Sequence, residues 1–337
     1  MLGIKPRNLI ALLLVLPVIL ATTVSGVNAQ DSVRITISPT SFDFGLNPGA
    51  IETNVIKVTN PSQSDLELEV DVENIIGADE LGKIQLSEEE TEFSLSSWVT
   101  FTPERFRLKA GENRTVSYTI RVPANAEPGG HYGSILVGTI AAEGTATGSQ
   151  TVQRLGSLLL VRVAGQANEK AVTANFSPKT FVGEWEEIKS SDNTTTFYIP
   201  RQEMLDEEKA STYFNNGPIA FDLRIKNNGN VHIRPSGFVT IYNIFGKKVA
   251  ELAIEPKNVF PGVERQLTVL WPQKKHWGIY YKVQLVAVYG QSNQPLTSTT
   301  AFWAFPMIPA IVIGALLVFI IVARKRLVKV IRVLIKG

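Results

Sequence analysis

The 337-residue sequence contains no cysteine and only three histidines, His131, His232 and His276. Without cysteine the chain forms no disulfide and offers no thiolate to a metal. The histidines never fall at a spacing typical of metal ligands, and no Asp/Asn-rich loop matches an EF-hand. The Gly-x-Ser-x-Gly and Ser-x-x-Lys patterns of serine nucleophiles are also missing. We therefore predict no catalytic residue, no metal site and no cofactor.

Carboxylates are abundant, and they leave one enzyme class open. Acidic runs occur at 88–90 and 206–208. A glycosidase needs only two facing acids, so this class is the alternative to a non-enzymatic protein. Acid runs on loops are, however, usually solvated surface.

The first residues have the order of a secretory signal peptide. Two cations, Lys5 and Arg7, precede an apolar run over 9–20, and small residues follow up to Ala29. That order predicts export with a signal peptide over 1–29. An uncleaved anchor is the alternative, but the apolar run is short for a membrane span.

A second apolar run lies near the other end. No charged residue occurs between Lys282 and Arg324, and residues 302–323 read FWAFPMIPAIVIGALLVFIIVA. At about 1.5 Å per helical residue, about 20 apolar residues cover a hydrocarbon core of roughly 30 Å. We predict one transmembrane helix over 302–323, with Trp303 in its interfacial aromatic belt.

The residues after this run are basic. Six cations and no acid occupy 324–337, namely Arg324, Lys325, Arg326, Lys329, Arg332 and Lys336. The positive-inside bias predicts a cytoplasmic tail at the membrane interface and an exported N-terminal part. On a helix, most of these cations would share one face, which can lie on an anionic leaflet. The alternative is that they act only as a stop-transfer signal.

Charge argues against nucleic acid as a partner. Of the 33 Lys and Arg residues, two precede the first apolar run and six follow the second, whereas all 31 Asp and Glu residues lie between. The exported part is therefore net acidic, although the whole chain is +2. A nucleic-acid-binding surface is normally basic.

The exported part is predicted to be all-β. Apolar and polar residues alternate with a period of two, as in 66–72 and 116–122, and turns such as Asn47-Pro-Gly separate the runs. Frequent short strands without intervening helices indicate two immunoglobulin-like antiparallel β-sandwiches, over 30–176 and 218–301. The polar segment 177–217 is predicted to link them, and Asn227-Asn-Gly-Asn is predicted to close a hairpin.

The glycine-rich stretch PGGHYGSILVG, residues 128–138, surrounds His131. A phosphate-binding loop would lead into a helix and supply a lysine, whereas β-branched residues follow here. The stretch therefore predicts a turn into a strand, with Tyr132 packed under it. His131 is expected at the surface as a possible ligand contact, and His232 and His276 are expected there too.

Two tryptophans are candidate ligand contacts. Exposed indole rings form platforms on which sugars stack, and Trp98 and Trp185 are candidates for that role. Alternation in 97–101 places Trp98 on the face opposite to Val99. Core packing is the alternative for both rings.

The order of segments resembles a known family. The stretches "ISPTSFDFGLNPGAIETNVIKVTNPSQSDLELEVDVEN", "WVTFTPERFRLKAGENRTVSYTIRVPANAEPGGHYGSILVG" and "FDLRIKNNGNVHIRPSGFVTIYNIFGKKV", followed by a span and a basic tail, resemble immunoglobulin-like bacterial surface proteins that accompany WxL cell-wall proteins. The resemblance implies a first domain that binds peptidoglycan and a second that binds a partner. It transfers no ligand-contacting residue.

These observations predict a single-pass cell-membrane protein with its N-terminal part outside. We expect it to bind cell-wall glycan, such as peptidoglycan, or another surface protein, and to contact the lipid bilayer through its span. A glycosidase, or an accessory subunit of a membrane complex packed through Gly314, is the alternative.

Overall fold

The computed structural model describes residues 34–140, 153–181, 183–201, 210–276 and 279–336. The signal peptide predicted over 1–29 lies outside these residues. The described chain is mostly β-strand and ends in one long helix. The predicted all-β class, with two immunoglobulin-like sandwiches and a C-terminal helix, is confirmed.

The first sandwich faces two sheets against each other. Its strands are β1 (Thr36–Ser38), β2 (Ser41–Leu46), β3 (Ile51–Thr59), β4 (Leu66–Ala78), β5 (Ile84–Ser87), β6 (Val99–Thr102), β7 (Arg105–Leu108), β8 (Asn113–Arg121), β9 (Gly129–Thr139) and β10 (Arg154–Val163). One sheet has the order β1-β3-β8-β6, and the other has the order β2-β10-β9-β4-β5, with β7 also paired to β4. All pairs are antiparallel except β2 with β10.

Period-two alternation builds the core of this sandwich. On β8, Val116, Tyr118 and Ile120 are buried while the residues between them are more exposed. They meet residues such as Leu68 from the facing sheet. Each fully buried aliphatic side chain stabilises the fold by about 1.5–3 kcal/mol relative to exposure, which pins the register of the strands.

The second sandwich holds the remaining strands. They are β11 (Ala171–Thr180), β12 (Trp185–Lys189), β13 (Thr196–Pro200), β14 (Tyr213–Phe214), β15 (Ile219–Asn227), β16 (Ser236–Asn243), β17 (Lys248–Ile254), β18 (Glu264–Trp271), β19 (Ile279–Tyr289) and β20 (Gln294–Ala304). The sheets have the orders β11-β15-β18 and β14-β20-β19-β16-β17, and β12 pairs with β13 as a separate hairpin.

The predicted linker over 177–217 contains several strands in its described part. β11 pairs with β15 along its length, so the second sandwich begins at Ala171 and not at 218. The β12–β13 hairpin and β14 also fall in this range. The predicted hairpin at Asn227-Asn-Gly-Asn is wrong as well, because β15 pairs with β11 and β18 and not with the segment that follows it.

The C-terminal helix begins later than predicted. Strand β20 continues to Ala304, and helix α1 spans Met307–Lys336. Phe302 is 1% exposed in the core of the second sandwich, so the apolar run is a strand end followed by a helix. Within the described residues, α1 is the one helix long and apolar enough to cross a membrane.

Candidate functional site

The glycine-rich stretch and the Asn227-Asn-Gly-Asn turn meet where the two sandwiches touch. The Gly130 N–H donates to the Asn230 carbonyl at 2.9 Å. Gly129 has φ of 142°, and a Cβ on it would lie 3.1 Å from the same carbonyl oxygen. Glycine is therefore needed for the close approach of the two backbones.

Tyr132 is the centre of this junction. Its hydroxyl oxygen accepts the backbone N–H of His232 at 2.6 Å, and its ring packs edge to face on Phe260 with centroids 5.0 Å apart. Tyr132 and Phe260 form one buried cluster with Ile75 and Leu160 of the first sandwich. Burial raises the pKa of Tyr132, so its hydroxyl stays protonated. Tyr132 packs under the turn, as predicted, but it packs on the second sandwich.

His232 is buried at the junction, and the expectation that it faces solvent is wrong. Its Nε2 lies 3.2 Å from Oδ2 of Asp43 on β2, across the interface. This hydrogen bond holds the pKa of Asp43 below its usual value, against an opposing effect of burial. The alternation of apolar and polar residues identifies which face of a strand points into its own sandwich. It cannot show that a second domain covers the opposite face, as the first sandwich does at His232.

His131 is also buried, at 5% exposure, which corrects the surface position expected for it. Its Nδ1 lies 3.1 Å from the Ser94 carbonyl and its Nε2 lies 3.0 Å from the Glu127 carbonyl. Its ring packs on Trp98, with centroids 4.4 Å apart. Both ring nitrogens therefore face backbone acceptors, and the ring ties the 88–98 loop to the start of β9.

His276 is the third buried histidine. Its ring lies 4.3 Å from that of Trp271 in the core of the second sandwich. Desolvation lowers the pKa of His276 to about 4, partly opposed by the Gln273 backbone. Its position in a turn predicted a surface residue, but the ring packs on Trp271 and is buried.

The two candidate tryptophans are half-buried. Trp98 ends a short 3₁₀ turn and packs on the first core and on His131. Trp185 lies on β12 and packs with Phe181 and Tyr198 against the outer face of the β11-β15-β18 sheet. The structure places the two rings in different sandwiches and does not bring them together, so their role as ligand contacts stays a prediction.

An apolar patch on the second sandwich was missed by sequence reasoning. Phe238 on β16 lies directly opposite Val286 on β19, and these side chains are 46% and 57% exposed. Val288 is two residues further along the same face, opposite exposed Pro295 of β20. We call Phe238, Val286, Val288 and Pro295 the outer patch. The sequence signal for it is the unbroken apolar run at the end of β19, residues 285–289.

The carboxylates do not converge on a metal site. Glu88, Glu89 and Glu90 are exposed on the loop after β5, and the run over 206–208 lies outside the described residues. In the described part of the chain, no group of three or more His, Asp or Glu side chains could hold a metal ion.

The residues predicted at the membrane interface fall in two groups. Trp303 is half-exposed on β20, where its ring packs edge to face on Tyr280 at 5.1 Å. Arg324 is exposed on α1 at the end of its apolar part. Lys325, Arg326, Lys329, Arg332 and Lys336 lie on the same helix.

Comparisons with known proteins identify no family. No family model matches the sequence, and no curated protein matches it either. Among solved structures, the class 5 fimbriae chaperone CfaA matches with a TM-score of 0.37 and 13% identity over 79% of this chain and 99% of that one. The E. coli chaperone DraB matches with a TM-score of 0.33 and 14% identity, covering 81% and 97%.

A chain from the Salmonella enterica SafA pilin and SafB chaperone complex gives a TM-score of 0.35 and 11% identity, covering 82% of this chain and 98% of that one. At identities and scores this low, the likeness says nothing about what this chain does. What is established is an all-β protein with two immunoglobulin-like sandwiches, held together by a buried junction and followed by one apolar helix.

Proposed function

We propose that this chain is a non-enzymatic, single-pass membrane protein of the cell surface that binds another surface protein through the outer patch. The single observation that carries the proposal is the exposure of Phe238, Val286 and Val288 on one sheet face. Contiguous exposed apolar side chains are unusual on a soluble surface and mark sites of interaction with proteins or membranes.

The position of the outer patch suits a neighbour on the same surface. Val286 lies seven residues along β19 from Ile279, which pairs with the last residue of β20 before the helix. At about 3.4 Å per residue, the patch stands about 24 Å above the end of the sheet. The patch therefore faces sideways at a height that a second surface protein can reach.

A protein fits this surface better than a glycan does. Sugar sites use flat aromatic platforms with polar groups around them, whereas the outer patch is mainly aliphatic. The candidate platforms, Trp98 and Trp185, are engaged in packing on His131 and on Phe181. The resemblance to proteins that accompany WxL proteins would make the partner a wall-attached protein.

The binding surface can be tested with the full-length protein expressed in its host cells. A photo-reactive residue at position 286, used on intact host cells, should give a discrete cross-linked product that Phe238→Ser abolishes. Ile188→Ser serves as the matched control, because Ile188 is an exposed aliphatic residue on the separate β12–β13 hairpin. The control should leave cross-linking unchanged.

Mass spectrometry of the cross-linked product identifies the partner and shows whether it belongs to the cell wall. Retention of the same protein on isolated peptidoglycan tests the glycan alternative in parallel. Cross-linking that Phe238→Ser leaves intact would contradict the outer patch as the binding surface.

The proposed topology has its own test. The acidic sandwiches lie outside the cell and the basic end of α1 lies inside, because the cations follow the apolar part of the helix. Protease added to intact cells should remove both sandwiches and spare an epitope tag at the C-terminus. Loss of the tag with the sandwiches retained would reverse the topology.

A further inference from the structure

The second sandwich runs almost directly into the apolar helix. Only Phe305 and Pro306 separate β20 from α1. The Met307 N–H donates to Oδ1 of Asn215 at 2.8 Å, and the Tyr213 hydroxyl donates to the Phe305 carbonyl at 2.8 Å. These bonds fix the start of the helix to the sandwich, so the two have coupled orientations.

The β16–β17 turn lies at the level where the helix starts. Ala304 is opposite Ile279, and Asn243, the last residue of β16, is opposite Tyr281. Residues 244–247 therefore extend past the end of β16 toward the plane of the helix start. Two strand spacings of about 4.8 Å place the turn about 10 Å to the side of β20.

The turn presents two large apolar side chains to solvent. Phe245 is 90% exposed, and Ile244 is more than half exposed. Oδ1 of Asn243 accepts the N–H groups of Phe245 and Lys247, each at 3.0 Å, and Gly246 closes the turn with φ of 74°. Because the turn is held by its own hydrogen bonds, it presents Phe245 at little conformational cost.

The surface around the turn has the composition of a membrane interface. Exposed Ile279 lies beside the Tyr280 and Trp303 pair. Five exposed lysines lie on the same end of the sandwich, namely Lys247, Lys248, Lys274, Lys275 and Lys282. Aromatic rings favour the headgroup region and lysines attract anionic lipid. Among the described residues at this end, the acids Glu184 and Glu251 each pair with a cation.

The length of the helix brings this end close to lipid. The uncharged part of α1 runs from Met307 to Ala323, and Arg324 follows it. At about 1.5 Å per residue this part covers about 26 Å, slightly less than a hydrocarbon core of roughly 30 Å. A slightly short span draws its flanking surface toward the bilayer.

We propose that the β16–β17 turn inserts Ile244 and Phe245 into the lipid headgroup layer, so that the second sandwich rests on the bilayer. The occupant of this surface is lipid, and the lysines add attraction where the lipid is anionic. The inference rests on the membrane anchoring proposed above. It assigns the exposed turn a partner distinct from that of the outer patch.

The absence of native cysteine makes a direct test possible, because one introduced cysteine then carries one probe. Phe245→Cys is labelled with the environment-sensitive fluorophore NBD in the full-length protein. The matched control is Gln291→Cys in the exposed turn between β19 and β20, at the opposite end of the same sheet. Both are reconstituted into vesicles of phosphatidylcholine, with and without phosphatidylglycerol.

The label at 245 should emit at shorter wavelength and be quenched by headgroup spin-labelled lipid, whereas the label at 291 should show neither effect. Lys247→Cys gives a second reading in the same turn if the first variant unfolds. Flotation of the vesicles reports anchoring separately. Protein that floats but gives equal spectra at 245 and 291 overturns the docking alone, and protein that does not float overturns both proposals.

Discussion

Tyr132 shows how one hydroxyl group can connect two domains. It belongs to the first sandwich, but its oxygen accepts a backbone N–H from the second. The His232 N–H that it satisfies is buried. A buried donor without a partner costs more free energy than the hydrogen bond itself contributes, so the pair is sensitive to loss of either member.

We expect Tyr132→Phe to lower the free energy of unfolding by about 1–3 kcal/mol, because the His232 N–H loses its acceptor. Denaturant unfolding of the full-length protein, followed by tryptophan fluorescence, measures the change. Tyr198→Phe in the β12–β13 hairpin is the control and should change stability little. Equal stability of Tyr132→Phe and wild type would show that the bond does not contribute.

His276 makes stability depend on pH. Its folded pKa of about 4 lies below the ordinary 6.5 because burial disfavours the imidazolium. The unfolded chain therefore binds more protons between these values, and stability falls as the pH drops from 6.5 toward 4, by at most about 3 kcal/mol. The contribution of Asp43, whose pKa is also lowered, is lost only below its ordinary 3.8.

Denaturant midpoints measured from pH 7 to pH 4 test this prediction. His276→Gln should flatten the decline relative to wild type, whatever its effect at pH 7. A variant that declines as steeply as wild type would assign the pH dependence to other groups.

At the scale of elements, the β12–β13 hairpin covers a sheet face that would otherwise be exposed. Trp185 and Phe181 pack edge to face at 6.1 Å, over Ala220 and Leu270 of the sheet. We expect Trp185→Ala to cost about 1–3 kcal/mol, less than a fully buried ring would. Ile188→Ala on the exposed side of β12 should cost much less, and thermal unfolding compares the two.

The elements that the sequence predicts well are those with strict alternation. The runs in β4 and β8 are strands because Leu68, Val70, Val116 and Ile120 alternate with polar residues, and each is buried. The alternation of apolar and polar residues arises whenever one face of a strand is buried, so it can be recognised in a single sequence.

The missed elements depend on contacts that composition does not encode. The range 177–217 reads as polar linker because its strands pair at the margin of the sandwich, where partial burial tolerates Thr, Lys and Glu. The hydropathy of the sequence predicts a helix start at Phe302, because a buried strand end is as apolar as a transmembrane helix and the two cannot be told apart by hydropathy alone. The histidines were misplaced because domain packing and ring stacking bury them.

At the scale of the whole molecule, several contacts among the described residues hold the sandwiches together. Besides the Tyr132 cluster, the Gln266 N–H donates to the Glu80 carbonyl at 2.7 Å, and the Glu80 carboxylate accepts from Arg224 at 2.7 Å. At the segment between the sandwiches, the Glu169 carboxylate accepts from the Ser292 hydroxyl at 2.7 Å. We therefore expect both sandwiches to unfold in one cooperative transition.

Calorimetry of the full-length protein should show one transition, and Tyr132→Ala combined with Phe260→Ala should split it into two. Val286→Ser, away from the junction, should keep one transition. Two transitions already in the wild-type protein would mean that the junction contacts are too weak to couple the domains.

The direct joint between β20 and α1 also has a mechanical consequence. In the proposed topology, a partner pulling on the outer patch would load β19 and, through its 11-residue antiparallel pairing with β20, helix α1. The force would run along the strands and load many backbone hydrogen bonds in shear at once. Only Phe305 and Pro306 separate β20 from α1, so no long flexible linker would extend first. The second sandwich would then act as a stiff coupling, and tension applied outside the cell would reach the bilayer with little delay or damping.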